Sequence, residues 1–418
     1  MAAAPHVLIV GAGLAGLACA HCLTKAGATC TVFEGSDGVG GRARTEPLRG
    51  FRLDRGFQIF LTGYPEARRS LDYAALDLQP FHAGAIIRYG GRFHLLSDLF
   101  RRPQDVVSTV LSPIGSLKDK LLLLRLRLDA LGGKLCSSAQ RHKQSTREVL
   151  ENYGFSDSMR TRFFHPFLSG VFLETELTTP CWVFELVWAA FCRGAAALPR
   201  DGMGAIARQL ADALPPGTIR LNQAVRRVEG STVVLKSDER LTGDGVVVAT
   251  DDATASQLRG EPSSHGAGRW STTLYFDAPT APHRGPWLML NGEGDGLVRT
   301  VCVLSEAAPS YAPRGRALIS VTVRERPESS DGLAQAVQTD LRSWFGSHVE
   351  HWCHLRTDHI RYALPPVDLL PPTGHADSAR VADGLYLCGD YRESGTLDGA
   401  LLSGRTAAEA VLADYTSV

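Results

Sequence analysis

The hexapeptide Gly11-Ala12-Gly13-Leu14-Ala15-Gly16 constrains this chain more than any other feature of it. It follows an apolar run, His6 to Val10, that reads as a buried strand, and it opens a stretch, Leu17 to Lys25, that reads as a helix ended by Gly27. Thr29 to Phe33 is then a second strand, so the N-terminus is a strand-helix-strand unit. Gly11 permits the tight turn, Gly13 lets backbone approach a diphosphate, and Gly16 lets helix and sheet pack closely. The helix N-terminus, with Leu14 and Ala15 in the turn that leads into it, offers free N–H groups and a positive dipole end to an anion. Glu34 ends the second strand 18 residues after Gly16. At that spacing a carboxylate accepts from both hydroxyls of an adenosine ribose and repels a 2'-phosphate.

A chain of 418 residues, 44% of them hydrophobic, is too long for one comfortable core, so two domains are expected. Lys plus Arg and Asp plus Glu each total 44, which leaves no field of one sign to attract nucleic acid. No apolar run reaches the roughly 18 residues of a membrane span, and a strand beginning at His6 leaves no room for a signal peptide in the sequence as it stands, with a removed targeting peptide left open. The nine cysteines are odd in number and scattered, which fits a reducing compartment, in the cytoplasm or an organelle matrix, without a disulfide framework. Cys19 and Cys22 form a CxxC inside the predicted helix, where they share a core face. His351, Cys353 and His354 have no second ligand cluster beside them, so no metal site is read.

Further along, residues 93 to 135 read as helical, with a leucine-rich run, Leu121 to Leu128, flanked by Lys118, Lys120, Arg125 and Arg127. An ordinary cap helix with snorkelling charged stems is the simpler reading, and a helix resting on a membrane surface is the alternative. Residues 146 to 194 form a second helical stretch rich in aromatics, including Phe163, Phe167, Trp188 and Phe191. Short strands follow at 219–221, 224–228, 233–236, 245–249, 271–276, 297–304 and 317–324, then a helix near 332–345. The Pro-rich segment 364–372 reads as a linker, Gly384 to Cys388 as a last buried strand, and 398–414 as a final helix.

The continuation Gly38 to Thr45, with Gly40, Gly41 and Arg42, gives the stretch Val7 to Thr45 a clear likeness: it resembles the N-terminal signature of the flavin-containing amine oxidase superfamily, which includes monoamine oxidase, protoporphyrinogen oxidase and phytoene desaturase. The resemblance implies that Arg42 supports the diphosphate region of FAD. Gly384 to Asp390, then Gly395 to Gly404, is similar to the C-terminal FAD motif of that family. There Gly389 and Asp390 would meet the ribityl or phosphate region, while Thr396, Leu397 and Ala400 at the helix start would face the flavin pyrimidine edge. Val225 would lie on the strand that holds the adenine, and Leu53 to Gln58, with Gly56 and Gln58, would bring backbone against the isoalloxazine.

The likeness implies an α/β architecture: a Rossmann-type FAD-binding domain with a mostly parallel sheet, from residues 1–65, 195–265 and 375–418, and an inserted mixed α+β substrate domain, from 66–194 and 266–374. Two departures point away from simple amine oxidation. No lysine occurs after Lys236, and Thr396 stands where the amine oxidases place a cage aromatic. The segments Phe163 to Leu173 and Ala197 to Met203 look closer to the desaturase-like branch, with Pro199, Gly202 and Met203 marking a return to the FAD domain. The implied reaction removes or relocates hydrogen on an apolar isoprenoid, polyene or porphyrin-like substrate, with hydride passing to N5 of a non-covalent FAD and O2 or a quinone as acceptor. His165 and Gln58 are the candidate catalytic side chains. Oxidation of a small amine or amino acid, and a non-catalytic FAD-stabilised assembly factor, remain the alternatives, and the oligomeric state stays open.

Overall fold

The computed structural model describes residues 5–136, 144–262, 267–324, 331–371 and 378–416. The N-terminal unit forms as its apolar pattern dictates, with β1 (His6–Val10), α1 (Leu14–Lys25) and β2 (Thr29–Phe33). They seed a six-stranded sheet in the order Ile219–Arg220, β2, β1, Gly245–Val248, Leu385–Leu387, Arg380–Ala382. Neighbours run parallel except at the last pair, which is antiparallel. Its central strands are buried on both faces, which is why they read as unbroken apolar runs. Val7, Ile9 and Val247 face α1 and the C-terminal helix. Leu8, Val10, Val246 and Val248 face a three-stranded antiparallel sheet of Val225–Glu229, Thr232–Leu235 and Arg240–Thr242.

The C-terminal helix, Leu397–Thr416, packs backbone against backbone on α1. A Cβ at Gly404 would stand 2.2 Å from the Ala15 carbonyl oxygen, and one at Gly16 would stand 2.0 Å from the Gly11 oxygen. Glycine at these two positions is therefore a steric requirement of the helix-strand-helix contact.

A second, seven-stranded sheet runs in the order Cys353–Leu364, Arg269–Ala278, Ala317–Val323, Val298–Val303, Leu288–Asn291, Gly84–Tyr89, Arg92–Ser97. It is antiparallel except where Leu288–Asn291 pairs with Gly84–Tyr89. Helix Leu333–Phe345 covers it through Val337, Leu341 and Trp344. Helix His165–Phe172 packs on its strands Leu288–Asn291 and Val298–Val303, and the helices Leu117–Leu131 and Cys181–Arg193 pack on each other. The architecture is thus the expected one: a parallel nucleotide-type sheet joined to a mixed α+β region. Both interior junctions proposed near 265 and 374 lie outside the described residues.

Three expectations need correction. The helical stretch 93–135 begins later, because Arg92–Ser97 is a strand whose hairpin partner is Gly84–Tyr89, and helix starts only at Val106. The Gly90-Gly91 turn between them, with both residues at positive φ, was the overlooked hairpin signal. Cys136 and Cys181 form a disulfide with a Cα–Cα separation of 6.1 Å, against the expectation that the scattered cysteines stay free. The linker reading began at residue 364, whereas the strand Cys353–Leu364 runs up to it unforeseen; its alternating half-exposed residues gave no apolar run to find. Cys19, by contrast, is a buried free thiol in the core, as read.

Gly404→Ala is expected to cost about 3 kcal/mol, the upper end of ordinary overpacking, because backbone lies on both sides of the contact. Chemical denaturation of the purified variant measures this, and a midpoint equal to wild type contradicts the contact.

Candidate active site

At the mouth of the parallel sheet, Gly11 and Gly40 sit at φ of 106° and 109°, outside the range of residues with a Cβ. The Gly40 N–H donates to the Ala12 carbonyl at 2.8 Å, which lays the Gly40-Gly41 turn across the first glycine loop. Gly41 lies with its missing Cβ 3.6 Å from the Gly13 Cα, and in front of Gly13 itself nothing comes within 4 Å. Helix α1 starts there with no side-chain cap, so the N–H groups of Leu14, Ala15 and Gly16 precede the first helical bond, which Leu17 makes to the Gly13 carbonyl. The Glu34 carboxylate is held at the same mouth. One oxygen accepts from the Ala12 N–H at 2.9 Å, the other from the Ser36 N–H and hydroxyl at 2.9 and 2.7 Å. Gln223 N–H donates to the Glu34 carbonyl at 2.8 Å, which sets the Val225 strand alongside. An open glycine cradle, uncapped amides and a fixed carboxylate fit an adenosine diphosphate moiety.

The two distant motifs meet. Arg42 donates in a fork to both carboxylate oxygens of Asp390, at 2.8 and 2.6 Å, across 348 residues. It also donates to the Ala363 carbonyl at 3.0 Å. Gly389 N–H donates to the Ser403 hydroxyl at 3.0 Å, fixing the turn before Asp390 to the C-terminal helix. Thr396 caps that helix: its hydroxyl accepts from the Gly399 N–H at 3.0 Å and its carbonyl from the Ala400 N–H at 2.9 Å, so Leu397 opens the helix. Asp398, in the same first turn, points away to the Ala67 N–H at 2.8 Å, and burial pushes its carboxyl up to about 6.

Gly56, at φ 75°, donates its N–H to Asp358 at 2.9 Å. Gln58 donates from one amide nitrogen to the Arg42 and Arg55 carbonyls at 2.9 and 2.8 Å, so its side chain braces this loop rather than meeting a reacting atom. Beneath the loop lies a cluster that sequence reasoning passed over. Buried Asp54 accepts from the Thr45 hydroxyl, the Met203 N–H and the Tyr311 hydroxyl, while Tyr275 and Arg356 donate to its carbonyl. Burial lifts the Asp54 carboxyl to about 6, against these favourable bonds. The quoted segment Leu53 to Gln58 contained Asp54, but nothing near it in sequence signalled partners more than 140 residues away.

Beyond Phe57 and Ile59, at the end of this same loop, opens a cavity of about 450 Å³. Its walls are chiefly apolar, with Phe81, Leu96, Phe163, Phe167, Trp188 and Phe191 prominent. The aromatic stretch therefore divides: these four aromatics from 163–191 line the cavity, while Phe164, Phe172 and Phe184 are fully buried core. His165 is absent from the cavity. It sits at the other side of its helix near Thr175, Arg299 and Arg324, with its pKa lowered first by burial. The histidine that does line the cavity is His82, which sequence reasoning missed. Arg102 donates to its Nδ1 at 3.0 Å and its ring meets Trp287 edge-on at 4.6 Å. Burial and then the Arg102 charge lower its pKa. The remaining charged groups at the cavity are Asp98, Arg101, Lys120 and Arg127, and Arg127 binds Asp98 at 2.6 Å.

Fold and site together define a two-part protein built on a Rossmann-type nucleotide-binding sheet beside a largely apolar cavity. The family model for flavin containing amine oxidoreductases matches residues 14–412, and the chain belongs to that family, whose cofactor is FAD. Among curated relatives, coproporphyrinogen III oxidase of Mycobacterium tuberculosis (strain ATCC 25618 / H37Rv) is 32% identical over 219 residues, 50% of this chain and 45% of that protein. Polyamine oxidase 1 of Oryza sativa subsp. japonica is 26% identical over 309 residues, 67% of this chain and 58% of its own. The matched stretches thus span about half the length of these relatives. Among solved structures, cyclohexylamine oxidase from Brevibacterium oxydans IH-35A superposes with a TM-score of 0.70 at 17% identity, covering 99% of this chain and 100% of that one.

Two predictions follow from the geometry. Glu34→Lys is expected to purify with flavin content reduced by about tenfold or more, and Glu34→Gln by less, since an amide oxygen still accepts. Undiminished absorbance near 450 nm in Glu34→Lys contradicts a ribose role. For Asp54, a folded carboxyl near 6 against an unfolded value of 3.8 means the folded state holds its proton more tightly. Stability is then greatest below about pH 4 for this group and is lost as pH rises through 6. Asp54→Asn should flatten that slope in denaturation midpoints measured from pH 4 to 7; an unchanged slope refutes it.

Proposed function

We propose that this chain is an FAD-dependent oxidoreductase that removes or relocates hydrogen on a bulky, largely apolar substrate of the porphyrinogen, polyene or isoprenoid type. The single observation that carries the reading is the cavity of about 450 Å³ that begins at Phe57 and Ile59 and is walled by aromatic and aliphatic side chains. FAD, when bound, supplies a hydride acceptor at its isoalloxazine N5 that O2 or a quinone restores. In this reading residues 1–65, 195–265 and 375–418 form the FAD domain, and 66–194 with 266–374 the substrate domain. Gly11, Gly13, Leu14, Ala15, Gly16 and Glu34 hold the adenosine and diphosphate, with Val225 beside the adenine. Gly40, Gly41 and Arg42 border the diphosphate. Gly56, Gly389, Asp390, Thr396, Leu397 and Ala400 frame the remainder, held without a covalent bond.

The work of the protein's own groups is positioning and exclusion of water. Phe163, Phe167, Trp188 and Phe191 bury the flat face of a substrate, and the Phe57 to Ile59 segment sets its reacting carbon at the inner end. The positive end of the Leu397–Thr416 helix favours negative charge beside Thr396. An ammonium group finds poor reception in this cavity. Arg101, Lys120 and Arg127 outnumber Asp98, which is already bound to Arg127, and His82 is pressed against Arg102. The relative named for coproporphyrinogen supports a cyclic tetrapyrrole as the first class to try.

Anaerobic mixing of the holoprotein with porphyrinogens, carotenoid precursors and a panel of primary and polyamines tests the reading. Bleaching of the flavin band by a tetrapyrrole or polyene and not by amines is expected; faster bleaching by an amine overturns it. Ala83→Trp, which fills the cavity, should lower turnover by at least about tenfold with flavin content unchanged. Full turnover in that variant would place the substrate elsewhere.

A further inference from the structure

Among the described residues, thirteen large apolar side chains are exposed, and nine of them fall between Phe100 and Leu128. Scattered exposed leucines are ordinary, whereas this concentration is one continuous patch. It is built by two helices, Val106–Leu111 and Leu117–Leu131. On the second, Leu117, Leu121, Leu124 and Leu128 recur at helical spacing along the outer side, while Asp119, Leu126 and Ala130 face the core. A helix that is apolar on both sides yet lies at the surface lacks a partner for its outer stripe. On the first helix, Leu111 is 76% exposed and Val107 64%.

Two further observations say what covers it. The substrate cavity opens through this patch, since Phe100, Val110, Leu117, Leu121 and Leu124 belong both to the cavity wall and to the exposed set. The charges around it are sorted by sign. Every acid between residues 98 and 129 is drawn inward: Asp98 to Arg127, Asp105 to Arg102, Asp119 to Ser116 and Ser156, and Asp129 to the Tyr153 hydroxyl. Lys118 stays exposed on the leucine helix, and so does Arg125, whose side chain is 70% exposed although it approaches Asp129 at 3.5 Å.

The geometry points to a lipid bilayer as the occupant: the helices Val106–Leu111 and Leu117–Leu131 insert their apolar side shallowly into a membrane whose anionic headgroups meet Lys118 and Arg125, and the cavity opens directly into the hydrocarbon. Interfacial helices bind by this combination of buried apolar area and basic flanks. An apolar molecule then reaches the cavity without crossing water. The docking stands on the patch and its charges alone; only the substrate route rests on the proposed function.

Flotation of the holoprotein with vesicles of phosphatidylcholine, and of an equal mixture of phosphatidylcholine and phosphatidylglycerol, tests the inference without any substrate. Binding to both, tighter to the anionic mixture, is expected. The triple variant Leu111→Gln, Leu117→Gln, Leu121→Gln should lose about tenfold or more in affinity while keeping its flavin absorbance and circular dichroism, since all three side chains are already in water. Lys118→Glu should weaken binding to the anionic vesicles and leave the neutral ones unchanged. Wild-type protein that stays with the bottom fraction in both mixtures overturns the inference. So does a wild-type dimer that the triple variant converts to monomer without any vesicle binding, which would make a second copy the occupant. A failed amine or tetrapyrrole assay leaves flotation untouched, so the two readings fall separately.

Discussion

The backbone contact between α1 and the C-terminal helix governs the rest of the molecule. A Cβ at Gly404 would meet the Ala15 carbonyl and force the two helices apart, while Gly16 lets α1 close on the Gly11 turn; together these approaches hold the first glycine loop and the Gly389 turn in one frame. Within that frame Arg42 reaches Asp390, and the cradle before Gly13 stays open. A half-buried ion pair of this kind contributes modestly by itself. Its value is geometric: it fixes which way two segments from opposite ends of the chain face one another, after helix packing has brought them into range.

The parts of the fold that could be read in the sequence are those whose physics is local. Gly11 to Gly16 between an apolar strand and a helix, an acid at the end of the next strand, and the buried runs Gly245–Val248 and Leu385–Leu387 each announce themselves over a few residues. The parallel strands of the six-stranded sheet were read in this way; its antiparallel edge strand, Arg380–Ala382, was not. What stayed hidden is long-range. Asp54 gathers Thr45, Met203, Tyr275 and Tyr311 from four segments, and no window of sequence contains that cluster. The disulfide between Cys136 and Cys181 is likewise invisible in spacing alone.

The substrate side was half legible for a related reason. Aromatic residues from 163 to 191 were visible, yet aromatic content does not separate a pocket wall from a core; Phe163 and Phe164 are neighbours with opposite fates. The polar candidates chosen by chemistry, His165 and Gln58, proved to be a histidine outside the cavity and an amide bracing backbone, whereas His82 lies just before the Gly84–Ser97 hairpin, in a stretch that carried no reading of its own. Ionisable side chains are common enough that type alone selects poorly; position relative to the Phe57 to Ile59 segment selects well.

The order in which strands join the two sheets carries a consequence for how the protein is made. The seven-stranded sheet interleaves segments from 84–97, 269–323 and 353–364, and the parallel sheet waits for Leu385–Leu387. A nascent chain leaving the ribosome therefore carries its glycine loop early but cannot complete the parallel sheet around it until Leu385–Leu387 has emerged. Closure of the cradle by both sets of segments is therefore a late step of folding for this topology, and apolar surface that waits for it is exposed to aggregation in the interval.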